Sequence, residues 1–404
     1  MKRMMMCVLC AVSVQSGAAA ADDAANLSEF FTEGDVTLSF RYRLELVDQD
    51  GFARDATAST LLTKLSYGTA SLGGFSGYVE FTNTTSVGAE TYNSTTNGNT
   101  TRPVVADPEL TELNQAYFAY RKGMVAVKAG RQGINTANQR FIGTVGFRQN
   151  DQTFDAAALT LAPDDQLSLG YSYVWNVNRI FGRDHPAGDL KGDIHLVDAS
   201  YGGFTLGKLS TYAYMLDFDT AGALSSATYG ARLSGKQKVG AATLGYELEY
   251  AHQSDHGDNP VDYSADYRLA AADVTLGGFT LGGGYELLGS DGTAAFQTPL
   301  ATLHKFNGWA DKFLGTPVNG LRDLYASVGY KVQHEGALKG LLVKVIYHDF
   351  NADEGGAAYG GEWDFLVSKG FGKIFTASVK AAFYDADGFG ADTTKLWLTL
   401  GAKF

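Results

Sequence analysis

Arg41, Arg43 and Glu45 alternate with Tyr42 and Leu44, so the charges share one face of an extended chain. A guanidinium stays charged at physiological pH and pairs with a carboxylate through two parallel hydrogen bonds. A row of such groups suits the holding or passing of anions, not the making or breaking of bonds. The same alternation turns Lys64, Arg148, Arg232 and Lys344 to the side shared by their serine and threonine neighbours. Lys236, Arg268, Lys331, Lys380 and Lys395 follow the same rule. The acids on that side are Glu45, Glu80, Glu247, Glu249, Asp262, Asp266, Glu362 and Asp364. Glu249 and Asp364 sit in two acid clusters, near 247–266 and 362–364, while the base excess falls on the first and last segments.

No arrangement for catalysis accompanies these charges. The seven histidines are scattered, without the HExxH or H-x-H spacing of a metal site. Asp255-His256 lacks the companion carboxylates that an outer-membrane protease needs, and no His-Ser-Asn set of a phospholipase stands out. Asp385, Asp387 and Asp392 form half a calcium loop without its distal Glu. The reading is therefore of a non-enzyme with no catalytic residues, no metal and no cofactor.

The segments that must carry the charges have period 2 throughout. Val36, Leu38, Phe40, Tyr42, Leu44 and Leu46 fill one face, and Thr37, Ser39, Arg41, Arg43 and Glu45 the other. A helix would scatter these charges around its circumference; a strand separates them. The pattern returns at 167–175, 228–236, 375–383 and 396–404. Eighteen strands are predicted, starting near 34, 56, 75, 109, 123, 147, 165, 191, 204, 226, 240, 261, 278, 319, 340, 359, 372 and 391. All seven prolines fall between or at the ends of these segments, as a residue without a backbone donor must. Short connections alternate with long polar ones at 87–108, 132–146, 178–190, 251–260, 290–318, 351–358 and 385–391. An up-and-down meander then gathers the long loops at one end and the termini at the other. Thr302 to Leu314, at roughly helical spacing, reads either as a short helix over or inside the mouth or as a self-packed outer loop.

A soluble sandwich also alternates, but its charges face water. Here the apolar faces are long, with aromatic ends, and the last segment closes on Phe404. These features favour an all-β transmembrane barrel, apolar outside and polar inside. Phe404 is what such barrels present to their assembly machinery. The first residues fit that setting. Lys2 and Arg3 precede an apolar run from Met4 to Val14, and Ala18 to Ala21 follow. That is the pattern of a signal peptide over 1–21, and the run is too short to span a bilayer as a helix. A periplasmic segment over 22–33 and a barrel over 34–404 complete the division. Both cysteines, Cys7 and Cys10, lie in the first segment, which excludes disulfide scaffolds, thiol catalysis and cysteine-bound metal in the remainder. The whole chain carries a formal charge of −12, against a nucleic-acid-binding surface.

Several stretches resemble the alginate-export family of outer-membrane barrels. They are Arg41-Tyr42-Arg43-Leu44-Glu45, Asn114 to Tyr117, Gly130-Arg131-Gln132, Asn138-Gln139-Arg140-Phe141-Ile142-Gly143, Phe147-Arg148-Gln149-Asn150, Phe296 to Pro299, Asn307 to Asp311 and Asp392 to Trp397. The resemblance implies an 18-stranded barrel whose arginine-rich constriction passes an anionic polyuronate. It adds Arg131 and Arg140 to Arg148 around one inward or plug-like loop. One departure is that the inferred lumen is mixed in charge instead of strongly basic. The expected protein is a passive outer-membrane channel for anionic oligo- or polyuronates such as alginate. Its expected partners are that polymer, the outer-membrane lipid and lipopolysaccharide, and the barrel assembly machinery. A general porin for small nutrients is the second reading, and a barrel enzyme the third.

Overall fold

The computed structural model describes residues 23–404; the signal peptide read over 1–21 lies outside the described residues. A short helix α1 (Leu27–Thr32), capped by the Asn26 side chain, lies against the turn after the second strand, where Ala24 N–H donates to Ser71 O. Eighteen strands follow: β1 (Asp35–Gln49), β2 (Ala56–Gly68), β3 (Phe75–Ser86), β4 (Leu110–Lys122), β5 (Val125–Gln132), β6 (Thr153–Leu161), β7 (Leu167–Asn178), β8 (Asp189–Phe204), β9 (Gly207–Phe218), β10 (Ser226–Val239), β11 (Ala242–Asp255), β12 (Ser264–Leu276), β13 (Phe279–Leu288), β14 (Leu321–Lys331), β15 (Leu342–Asn351), β16 (Ala358–Phe371), β17 (Phe375–Ala386) and β18 (Thr393–Lys403). Each pairs antiparallel with its neighbours in the chain, and β1 pairs with β18 from Ser39↔Lys403 to Gln49↔Thr393. The sheet is thereby a closed barrel with no free edge, the form in which a β-structure satisfies its backbone in lipid.

The exterior is apolar. Phe118, Leu248, Leu281, Val379, Leu398 and Leu400 are exposed along the outer faces. Aromatics ring the short-turn end, where Phe75 packs on Tyr120 and Phe279 on Tyr330 at centroid distances of 4.6 and 4.4 Å. Phe404 contacts Phe40 and Phe375 there. A barrel with this exterior is an outer-membrane protein by its fold.

Three connections at the opposite end turn into the lumen. They span 87–109, 133–152 and 289–320. The last two join through a parallel bridge between Ile142 and Leu300. Phe141, Ile142, Phe296 and Leu300 from these loops pack on Ile194, Leu196, Tyr212, Tyr214, Tyr267 and Leu269 from the wall. The barrel therefore holds an apolar core in its lumen, built by burial of loop side chains.

This core explains several departures from the alternation rule. On β12 the inward residues are Tyr267 and Leu269, so Asp266 and Arg268 face outward, against expectation. Near the long-loop end of that strand, Asp266 accepts from Tyr250 and Arg268. The sixth strand starts at Thr153 instead of near 147, because Phe147 to Gln152 belongs to an inward loop. The stretch 302–314 forms only a 3₁₀ turn at Leu303–Lys305, not a helix, and lies inside the barrel.

Candidate functional site

The strands β17, β18, β1 and β2 are consecutive around the barrel. Their alternation turns Lys380, Lys395, Arg41, Arg43 and Lys64 inward. Facing them from the same strands are only Glu45 and, at the short-turn end, Asp35. Beyond Lys403, which shares this face at the short-turn end, five cations crowd one wall and would repel one another, and the inward loops bring the compensation. Arg148 donates to Glu45 at 3.1 Å and to Asp311 at 3.0 Å, with Asp107 at 3.7 Å. Lys395 reaches the same Asp311 oxygen at 3.0 Å. Arg43 lies 3.9 Å from Asp107 and 4.1 Å above the Phe147 ring. Lys64 pairs with Asp151 and lies 4.0 Å from Glu80.

Asp311 is the centre of this set. Burial pushes its carboxyl up, but Lys395, His304 and Arg148 outweigh burial and hold it well below the usual carboxylate range. His304 links it to the wall. An ammonium only donates, so Lys380 donates to His304 Nε2 at 2.7 Å. The ring proton then sits on Nδ1 and is donated to Asp311 at 2.7 Å. Burial, then Lys380, hold the His304 imidazole well below its ordinary value, so it is neutral. Lys380 completes its surroundings with aromatic faces: Trp309 at 3.8 Å and Phe147 at 4.7 Å.

Two of these five meet no carboxylate within 4.0 Å among the described residues. Lys380 is one. Arg41 is the other: it donates to Gln149 Oε1 at 2.9 Å, to Gly146 O at 2.7 Å and to Arg148 O. Neutral carbonyls fix the guanidinium without cancelling its charge.

Arg140 is a staple between loops. Its three nitrogens donate to Glu286 at 2.6 Å, Thr298 at 3.2 Å and Asn307 at 2.9 Å. Only 2% of it is exposed. The loops carry backbone strain at the same place. Ala137, Gln139, Val145, Asn307 and Asp311 have positive φ, which non-glycine residues adopt at a cost of about 1–3 kcal/mol. Contacts such as those of Arg140 must hold them there.

The other expected site residues divide. Arg232 faces inward and pairs with Glu247 at 2.5 Å and Glu249 at 3.5 Å. Lys344 faces inward with no hydrogen bond or ion pair among the described residues. Arg131 does not line the lumen. It lies opposite Ala116 and Asp155, on the face away from Phe154 and Ala156, which join the lumen core. It donates to both Asp155 oxygens, at 2.8 and 3.2 Å, at the long-loop end of the exterior. The positive φ of Gly130 marks the point where backbone alternation is distorted.

This architecture is shared with solved outer-membrane porins. The outer membrane protein OpdK of Pseudomonas aeruginosa superposes with a TM-score of 0.71 at 17% identity, covering 93% of this chain and 99% of that one. OccD3 (OpdP) of Pseudomonas aeruginosa gives 0.71 at 17%, over 97% and 96%. OccAB4 of Acinetobacter baumannii gives 0.71 at 15%, over 93% and 98%. The fold is a porin fold. No protein-family model matches the chain, and no curated protein does. The likeness is one of fold, and it lends no support to the alginate-export resemblance.

Within the porin barrel, Asp107, His304 and Asp311 went unassigned from sequence. They lie on loops, where no periodicity tells direction. Lys208 on β9 also went unassigned, although it alternates with Ser210, Tyr212 and Tyr214 and was open to the same parity rule.

Proposed function

We propose that this protein is a passive outer-membrane diffusion channel for small anionic solutes, with carboxylated sugars the best chemical fit. The observation that carries this reading is positive charge fixed but not cancelled. Arg41 is held by carbonyls and Lys380 by aromatic faces and a neutral imidazole. Such groups lower the cost of an anion leaving water without the tight pairing that would trap it. Among the described residues no three His, Cys, Asp or Glu side chains come together as metal ligands. Oligouronates such as alginate fragments belong to this class, and the family resemblance of the sequence supports them alone. A general porin sorts solutes by size only.

The discriminating experiment is uptake into liposomes containing the purified barrel. A hexuronate should enter faster than a neutral hexose of the same size, and Arg41→Gln with Lys380→Gln should remove the difference. Equal rates in the wild type would leave the general porin standing.

A further inference from the structure

Glu362 and Asp364 stand two residues apart on the inward face of β16, and both are fully buried. Other buried lumen carboxylates meet a cation or several donors. Glu286 accepts from Arg140, Tyr267 and Asn307, and Asp323 bonds His348 and Asn307. The β16 pair differs. Glu362 Oε1 accepts from the Ala310 backbone N–H at 2.7 Å. Its Oε2 and both oxygens of Asp364 are buried with no hydrogen-bond partner. An ionised carboxylate without donors is among the costliest groups to bury.

The groups that face the pair are engaged elsewhere or stand off. On β15, His348 Nδ1 bonds both oxygens of Asp323 at 2.9 and 3.0 Å. Its Nε2 stops 3.7 Å from Asp364, beyond hydrogen-bond reach. On β17, Tyr384 lies opposite Glu362 but gives its hydroxyl proton to the carbonyls of Tyr359 and Phe389. Lys344 on β15 and Lys380 on β17 flank Leu366, one step along the inward face from Asp364. Neither comes within 4.0 Å of a carboxylate among the described residues. Lys380 donates to His304 instead, and Lys312 of the loop to Thr393. The loop backbone covers the pair: a Cβ at Gly308 would lie 2.4 Å from Glu362 Oε2, so only glycine seats there.

We propose that Glu362 and Asp364 share one proton at neutral pH, held on Asp364 and donated to Glu362 Oε2, so that the pair carries one negative charge instead of two. The two carboxyls lie within hydrogen-bond reach of one another. A carboxylate only accepts, so a bond between them requires a proton. Glu362 already accepts from Ala310, which leaves the proton to Asp364. Two carboxylates so close in a dry site cannot both ionise. The shared proton closes the seat that holds Ala310, the residue before Asp311. It also leaves the Lys380 charge uncancelled, because the carboxyl diagonal to it across β16 and β17 is neutral. That second consequence rests on the anion-channel reading; the proton itself does not.

Infrared difference spectroscopy of the purified barrel at neutral pH tests the proton directly. The wild type should show the carbonyl stretch of a protonated carboxylic acid, shifted in D2O, in excess by one group per chain over either variant. Asp364→Asn should lose it, because the new amide donates to an ionised Glu362. Glu362→Gln should lose it as well, its amide donating to an ionised Asp364, and serves should the first variant fail to assemble. No such band in the wild type, or a band kept in both variants, would overturn the shared proton. Zero-current potentials at neutral pH then read the charge. Asp364→Asn exchanges one neutral group for another and should leave the potential unmoved. Asp198→Asn, which removes a partly exposed lumen carboxylate on β8, should shift it towards chloride. An equal shift from both variants would also overturn the proposal. A wild type that prefers potassium overturns the anion-channel reading alone, and the infrared band still decides the proton.

Discussion

The charges around Asp311 and those on the β8–β10 wall use the same residue types for opposite ends. Around Asp311, Arg148, Lys395 and His304 converge on one carboxylate, and all four side chains are nearly fully buried. On the β8–β10 wall, Asp198 and Lys208 stay partly exposed and unpaired. Groups whose hydrogen bonds are used up position the chain, while groups with free valence remain for a solute. The inward arginines that stand out most in the sequence, Arg140 and Arg148, belong to the first kind. Loop-held charge shapes the lumen, and the unpaired charge is what the lumen leaves open to a solute.

The largest effect should come from breaking the first region. Asp311→Asn removes one partner from three buried cationic or donor groups. Loss of one member of a buried pair costs about 3–5 kcal/mol. Loop 289–320 should come free, with noisier and larger single-channel currents and a lower melting temperature in detergent. Wild-type currents in this variant would show that the loop is held elsewhere.

Arg140→Met comes next. It leaves Glu286 with Tyr267 and Asn307 as donors but removes the bond between two strained loops. A melting-temperature drop smaller than that of Asp311→Asn, with faster proteolysis within 133–152, is expected. An unchanged cleavage pattern would assign no staple role to Arg140.

Acid should loosen the same region by a smaller amount. His304 is neutral when docked and has its ordinary value near 6.5 when the loop is free. Its docked value is depressed, so the free state binds the extra proton and docking weakens as pH falls below that ordinary value. The groups facing His304 are Asp311, Lys380 and Arg148, and Asp311 keeps its charge in this range. Docking should lose up to about 1.4 kcal/mol per pH unit below about pH 6.5. Open-state noise should therefore rise between about pH 7 and pH 5, and His304→Gln should flatten the dependence. A pH-dependence kept in that variant would place the proton elsewhere.

The smallest effect sharpens the second region. Lys344→Gln removes an unpaired lumen charge that holds nothing in place. Melting temperature should stay within about 0.5 kcal/mol equivalent of the wild type, while anion preference declines slightly. A large stability loss would mean that unpaired charges also hold the fold.

The barrel was legible because a strand in lipid keeps the alternation of its side chains visible from Val36 to Phe404. Inward direction was legible for Arg41, Arg43, Lys64, Arg232 and Lys344 for the same reason. Legibility failed where loops entered the lumen. The inner face of β12 became apolar to meet Phe141 and Phe296, which sent Arg268 outward. At Gly130 the distorted alternation sent Arg131 outward. Asp311 and His304 act through contacts between loops far apart in sequence, and no local pattern encodes those.

The most direct test of the account is the zero-current potential of the wild-type channel across a potassium chloride gradient at low salt. The expected sign is that of chloride, despite a formal chain charge of −12, with a shift towards potassium in Arg41→Gln with Lys380→Gln. The preference should fade in concentrated salt, where the screening length falls to about 3 Å at 1 M. A potassium sign in the wild type, unmoved by these substitutions, would contradict it.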